Sequence, residues 1–112
     1  MHEFVITRSL LHEAVAEGGR HGAQRIRRIK LLIGEQSSVV PECVQFYFDQ
    51  LKEGTIAERA TLAFHRVPLR IRCPKCGREF SSIEEMCSCN AGGEITGGDE
   101  LLIESIEIEK EE

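Results

Sequence analysis

The chain has 112 residues, 14 Lys plus Arg against 19 Asp plus Glu, and a formal net charge of −5. That length bounds it to one compact unit plus a small module, and the acidic balance argues against nucleic acid as the main partner, since phosphate binding rests on clustered Lys and Arg. No run approaches a membrane span, Met1-His2-Glu3 is not a signal-peptide start, and 41% hydrophobic with 29% charged residues describes an ordinary soluble protein, so the expected compartment is the cytoplasm, with no membrane partner.

Residues 4–17 are expected to form the first helix. Phe4, Ile6, Thr7, Leu10, Leu11, Ala14 and Val15 fall on one half of a 3.6-residue wheel, and Arg8, Ser9, His12 and Glu13 on the other. Glu3 suits the positive end of the helix dipole, and Gly18-Gly19 is the expected stop. His12 and His21 read as solvent-facing helix and loop residues. Residues 25–33 read as a strand with Ile29, Leu31 and Ile33 on one face and Arg28, Lys30 and Leu32 on the other, ended by Gly34. The basic cluster Arg20, Arg25, Arg27, Arg28 and Lys30 is either a solvated face that discourages edge pairing or a docking patch for an acidic partner, with Arg25, Arg27 and Arg28 its candidates.

Residues 41–53 read as the second helix, with Ser38 as cap, Pro41 in the first turn and Gly54 after the last. Val44, Tyr47, Phe48 and Leu51 form its buried stripe, and Cys43 is expected to be a small, partly buried residue. Residues 60–67 alternate as a strand with Leu62 and Phe64 inward, and Pro68 marks a junction. Residues 101–109 form the last strand. Its apolar phase changes between Leu101/Ile103 and Ile106/Ile108, as a bulge near Glu104-Ser105 would produce. Glu107, Glu109, Glu111 and Glu112 read as a solvated acidic end.

Between Pro68 and the last strand lie four thiols within seventeen residues, Cys73-Pro74-Lys75-Cys76-Gly77 and Cys87-Ser88-Cys89. Two close-set Cys pairs are the usual way to supply tetrahedral zinc. Disulfides would need an oxidising compartment, and a redox C-x-x-C normally opens a helix in a βαβ setting that is absent here. Four thiolates leave no open position, so such a zinc holds shape and does not catalyse. Leu69, Ile71, Phe80, Ile83, Met86 and Ile95 are too few large apolar residues to fold this stretch without metal. His65 is the one imidazole nearby in sequence that could replace a thiol. The expected fold is α+β, a small three-stranded sheet with two helices plus an inserted zinc-ribbon-like module. The base spans 1–67 and 101–112, and the module 68–100.

The amino terminus is chemically a chelator. The Met1 amine and the His2 amide nitrogen close a five-membered ring on one metal, and the same amide with His2 Nδ1 closes a six-membered ring. Three nitrogens in one plane suit Ni(II) or Cu(II) over zinc. On spacing alone, a Met-His start is also a common one with no metal role.

A chain that opens Met-His-Glu into an amphipathic helix resembles the HypA (HybF) family when the rest follows in order. Here it continues with Ile29-Lys30-Leu31-Leu32-Ile33-Gly34, then Phe46-Tyr47-Phe48-Asp49 before a Gly, a four-Cys module and a Glu-rich last strand. These are nickel-incorporation accessory proteins for nickel–iron hydrogenase. The resemblance implies that Met1 and His2 bind nickel as transient cargo, with Glu3 beside them in delivery and docking. It implies that Cys73, Cys76, Cys87 and Cys89 bind structural zinc, and that the partners are a HypB-type GTPase and the hydrogenase large-subunit precursor. The family's second pair is usually C-x-x-C and here it is C-x-C. No His follows His65, so a fourth nickel donor falls to a backbone amide, Glu3, water or a partner.

The leading expectation is a nickel metallochaperone, monomeric or weakly dimeric. It is a carrier and not an enzyme, since no nucleophile–base pair or phosphate-cradling Gly loop is present. The alternatives are a zinc-ribbon nucleic-acid module using Arg66, Arg70, Arg72, Lys75 and Arg78, and a protein–protein adaptor with an inert amino terminus.

Overall fold

Thr7, Leu11 and Ala14, spaced four and three apart, become the buried stripe of helix α1 (His2–Arg20) in the computed structural model, which describes residues 2–85, 87–89, 92–98 and 101–110. Strand β1 (Ala23–Gly34), helix α2 (Pro41–Leu51) and strand β2 (Thr61–Val67) follow. Then come the short strands β3 (Arg70–Arg72), β4 (Glu79–Phe80) and β5 (Glu94–Gly97), and the long β6 (Leu101–Lys110). Two three-stranded sheets result, ordered β2-β1-β6 and β4-β3-β5. Two helices, a small sheet and an inserted cysteine-bearing module are the α+β fold expected.

The chain divides into two units, one of Met1–Leu31, Ser38–His65 and Leu102–Glu112, the other of Leu32–Ser37 and Arg66–Leu101. In the first unit Leu11 and Ala14 meet Ile26, Ile29 and Leu31 of β1, Val44 and Phe48 of α2, and Ala57 and Ala60 of the following loop. Leu62, Phe64, Ile103, Ile106 and Ile108 pack around this cluster half-buried. Along β6 two successive exposed positions, Glu104 and Ser105, separate Ile103 from Ile106, so burial changes phase where the sequence does.

Both helices differ in their ends from expectation. Helix α1 runs through Gly18-Gly19 to Arg20, and the turn that follows includes Gly22, whose φ of +71° is the left-handed conformation that glycine adopts freely. Gly18 is inside the helix for a packing reason: a Cβ there would lie 3.2 Å from Ile56 Cδ1 and 3.4 Å from Ile26. Glu17 extends the last turn by pairing with Arg20 and with His21 Nε2 at 3.0 Å. Helix α2 takes Val40, not Ser38, as its cap. Val40 is extended and offers no side-chain bond, so Pro41 alone marks the start. Cys43, expected partly buried, is exposed.

In the second unit β3 lies between β4 and β5, antiparallel to both, with Ile71 opposite Phe80 and opposite Ile95. Ile71, Cys73 and Phe80 are buried, with Leu69, Cys87 and Cys89 against them. Ile95, counted above among the apolar residues, is 55% exposed, so the core is smaller still. The side chains of Ile83 and Met86 lie outside the described residues. Gly98 has φ of +98°, and a Cβ there would come 2.6 Å from Leu69 Cα, so only glycine fits that turn.

Candidate metal centres

Strand β3 ends at Arg72 and delivers Cys73 into a tight turn. The Cys73 N–H donates to the Arg78 carbonyl at 2.9 Å, and the Gly77 N–H donates to the Cys73 carbonyl at 2.9 Å. Gly77 makes the reversal at φ +75°, and the Cys76 N–H points at Cys73 Sγ, 3.5 Å away. Strand β4 then pairs back on β3, and the Ser81 backbone N–H and hydroxyl both donate to the Glu85 carboxylate at 3.2 Å, fixing the loop that returns the chain to Cys87.

The four sulfurs of Cys73, Cys76, Cys87 and Cys89 lie within 4.8 Å of one another, and Cys76 Sγ is 3.7 Å from Cys87 Sγ. A tetrahedral site with zinc–sulfur bonds of about 2.3 Å has sulfur–sulfur edges of about 3.8 Å. The spacing therefore fits four thiolates on one ion, and all five cysteines are free of disulfides. The tight Cys87-Ser88-Cys89 loop presents both thiols to the set, and His65 lies outside it, with Nδ1 3.8 Å from Glu104. Cys73 is fully buried, Cys87 and Cys89 are half-buried, and Cys76 is exposed.

Left to protons alone, the quartet ionises unevenly. The Cys76 N–H, helped by that of Lys75, brings the Cys73 thiol down to about 6 against the opposing effect of burial. Hydrogen bonding with the Cys76 and Cys87 thiols, with burial, pushes Cys89 up to about 12. Cys87 is also raised. The Cys89 N–H pulls it down, but its contacts with the Cys73 and Cys76 thiols and its burial outweigh that. One thiolate thus forms readily and the next must be forced by a cation, as in sites where metal displaces protons.

Of the proposed nickel ligands, Met1 and the His2 side chain lie outside the described residues. The His2 backbone opens α1, and half-buried Glu3 follows in its first turn, its carbonyl accepting a bond from the Thr7 hydroxyl. Phe4 anchors that turn by an edge-to-face contact with Tyr47 of α2, centroids 5.3 Å apart.

Arg25, Arg27 and Arg28 stand together on β1, and each has a carboxylate. Glu109 of β6 takes Arg25 at 3.1 Å and Arg27 at 3.4 Å, and Glu107 takes Arg28 at 3.5 Å. Of the last strand's glutamates read above as solvated, Glu107 and Glu109 form this cross-strand ladder, and Glu111 and Glu112 lie outside the described residues. Its signal in the sequence was the alternation of Glu at 107 and 109 against Arg at 25 and 27. In the module Arg70 and Arg72 are likewise paired, with Glu79 and Glu94, which weakens a phosphate-binding face there.

The family described as "Hydrogenase/urease nickel incorporation, metallochaperone, hypA" matches residues 1–108. A hydrogenase maturation factor HypA of Dehalococcoides mccartyi is 39% identical, with 99% of this chain and 97% of the relative covered. One of Moorella thermoacetica is 40% identical, with 97% and 100% covered. The solution structure of the Ni metallochaperone HypA from Helicobacter pylori has the same fold, with a TM-score of 0.76, 22% identity and 97% of this chain and 98% of that chain covered.

Proposed function

The chain belongs to the HypA family of nickel-incorporation proteins for hydrogenase, and on that footing we propose where its nickel sits and how it moves on. It acts as a nickel metallochaperone in hydrogenase maturation, a carrier and not a catalyst. Nickel is cargo held by the Met1 amine, the His2 amide nitrogen and His2 Nδ1, with Glu3 beside the chelate. The observation that carries this is the family match over 1–108, which includes the chelating start.

Helix geometry supports that placement. The first N–H groups of a helix have no intrahelical partner, so the His2 amide can be surrendered to a metal without breaking a helical bond. The positive end of the helix dipole opposes a dication, and Glu3 in the first turn offsets it. Those opposed terms keep affinity modest, which suits an ion that must be released.

Cys73, Cys76, Cys87 and Cys89 hold zinc as a structural ion. The chemistry of four soft thiolates at tetrahedral spacing favours zinc over nickel there. The base of 1–67 and 101–112 is the nickel-binding domain and 68–100 the zinc-binding one. The partners are a HypB-type GTPase and the hydrogenase large-subunit precursor, met in the cytoplasm by a monomer or weak homodimer. Among the described residues no helix is long and apolar enough to cross a membrane.

Nickel titration of the untagged protein tests the reading. One Ni(II) should bind, and His2→Ala and His2→Gln should each abolish it while zinc content and fold persist. Glu3→Gln should spare more affinity than His2→Ala. Unchanged nickel binding in His2→Ala would return the amino terminus to a plain helix start and leave a protein–protein adaptor as the better reading.

A further inference from the structure

The four thiols of the quartet are not equally shielded. Cys73 is fully buried, inside the small core with Ile71 and Phe80, and Cys87 and Cys89 are half-buried. Cys76 alone is exposed. It sits on the reversal between β3 and β4, where Pro74, Lys75, Gly77 and Arg78 are exposed as well. Its sulfur is also the one that stands close to a second thiol, 3.7 Å from Cys87 Sγ across eleven positions of chain.

Exposure and proximity matter because a thiol coordinated by zinc is deprotonated, and the thiolate is the form that attacks an oxidant. Lys75 and Arg78 flank Cys76, and neither has a carboxylate partner among the described residues, so their charge also favours the anion. Solvent therefore meets one thiolate of the site first, and a second sulfur waits beside it.

We propose that Cys76 is an oxidation site for hydrogen peroxide, with Cys87 as the thiol that resolves it, so that the quartet gives up its ion when the chain is oxidised. This rests on the zinc assignment proposed above. The Cys76 thiolate attacks one peroxide oxygen, the O–O bond breaks, and the other oxygen leaves as hydroxide, which makes Cys76 a sulfenic acid. The Cys87 thiolate then attacks the Cys76 sulfur. An S–S bond forms, the S–O bond breaks, and a second hydroxide leaves. Two thiolates have lost two electrons in total, and one peroxide has taken them to become two hydroxides.

The exposed reversal at Cys76 lets the two sulfurs close from 3.7 Å to a bond of about 2 Å. Two of the four donors are then gone. The core of Ile71, Cys73 and Phe80 is too small to hold the second unit by itself, so that unit loses its fold with its ion. The first unit has Cys43 as its one thiol and keeps its own core. A reductant and zinc reverse both steps, which makes the site a switch and not a lesion.

The test uses the full untagged chain, reduced and loaded with zinc. Cys43→Ser runs alongside, because Cys43 is an exposed thiol outside the quartet. One equivalent of hydrogen peroxide is added, and released zinc is followed with a colorimetric chelator. Differential alkylation and peptide mass spectrometry map the thiols, and a parallel reaction with dimedone traps the first sulfenic acid. The expected result is dimedone on Cys76, a bridge joining Cys76 to Cys87 and one zinc released per bridge. Cys43→Ser should release zinc at the parent's rate within twofold, and dithiothreitol with added zinc should restore thiols and metal. A first sulfenic acid on Cys73, Cys87 or Cys89 would overturn the proposal. So would a first bridge joining Cys73 to Cys76 or Cys87 to Cys89, or zinc retained while Cys43 alone is oxidised. A parent chain that binds no zinc would overturn the zinc assignment itself, and the switch with it.

Discussion

The two units of this chain reach a fixed structure by different means. In the first, a cluster of nine buried residues from two helices, one strand and a loop is ringed by half-buried aliphatics from both edge strands. In the second, the buried cluster is Ile71, Cys73 and Phe80, and one of those three is a thiol of the metal quartet. Burial of apolar surface is enough for the first. The second has too little of it, and its strands of two to four residues are short for independent stability. With nickel at the amino terminus and zinc at the quartet, as proposed, the contrast would let cargo leave without unfolding its carrier, while the resident ion sits where folding depends on it.

The contrast breaks most readily at the quartet. Cys73→Ala, or a strong chelator, should unfold the second unit and release zinc stoichiometrically while the first keeps its slow-exchanging amides. Hydrogen exchange resolved by residue reads both at once. A second unit that stays protected without metal would show that its small core suffices and would remove the distinction.

The converse test is Phe48→Ala. Phe48 is 2% exposed in the first core, and its truncation should cost about 3–5 kcal/mol in denaturant unfolding of that unit. The folded fraction should still carry one zinc. Loss of zinc in step with the first unit would mean that the two are one cooperative body.

Proton competition sharpens the account of the quartet. With Cys89 up at about 12 and Cys87 also raised, both keep their protons at neutral pH, so zinc must displace them. Zinc affinity should therefore rise with pH through neutrality by at least about a hundredfold per unit, the protons of Cys87 and Cys89 being among those released. Below about pH 6 Cys73 is protonated too, and the fall should steepen by another factor of about ten per unit. Competition titrations against a chelator of known pH dependence check the slope, and an affinity flat between pH 6 and 8 would contradict it.

The smallest effect is expected at the Arg–Glu ladder. Arg28 and Glu107 are each about half exposed and 3.5 Å apart, so Arg28→Ala should change the first unit's stability by about 0–1 kcal/mol, less at high salt. A double-mutant cycle with Glu107→Gln reads the coupling, and a value above that range would make the ladder a structural element in its own right.

Legibility in the sequence follows the same division. The quartet was legible because its ligands come from two short loops, so spacing encodes geometry, and the C-x-C pair reaches the set despite having one residue fewer than usual. The helices and the long strands were legible from periodicity. What escaped were features set by tertiary neighbours. Gly18 lies inside α1 because Ile26 and Ile56 press on it, although the Gly-Gly pair reads locally as a stop. Ile26 is fully buried out of step with the alternation of Ile29, Leu31 and Ile33. The ladder of Arg25, Arg27 and Arg28 with Glu107 and Glu109 depends on which strands are neighbours, which composition does not reveal.

The central claim is that nickel rides on the amino terminus of the first unit, separate from the thiols of the second. The most direct measurement is nickel and zinc content, by titration and elemental analysis, of the untagged chain and of a form extended by two residues before Met1. The extension turns the amine into an amide and leaves every side chain in place. The account predicts one nickel and one zinc per chain in the first protein, and zinc alone in the second with its fold unchanged. Equal nickel binding by both would contradict it.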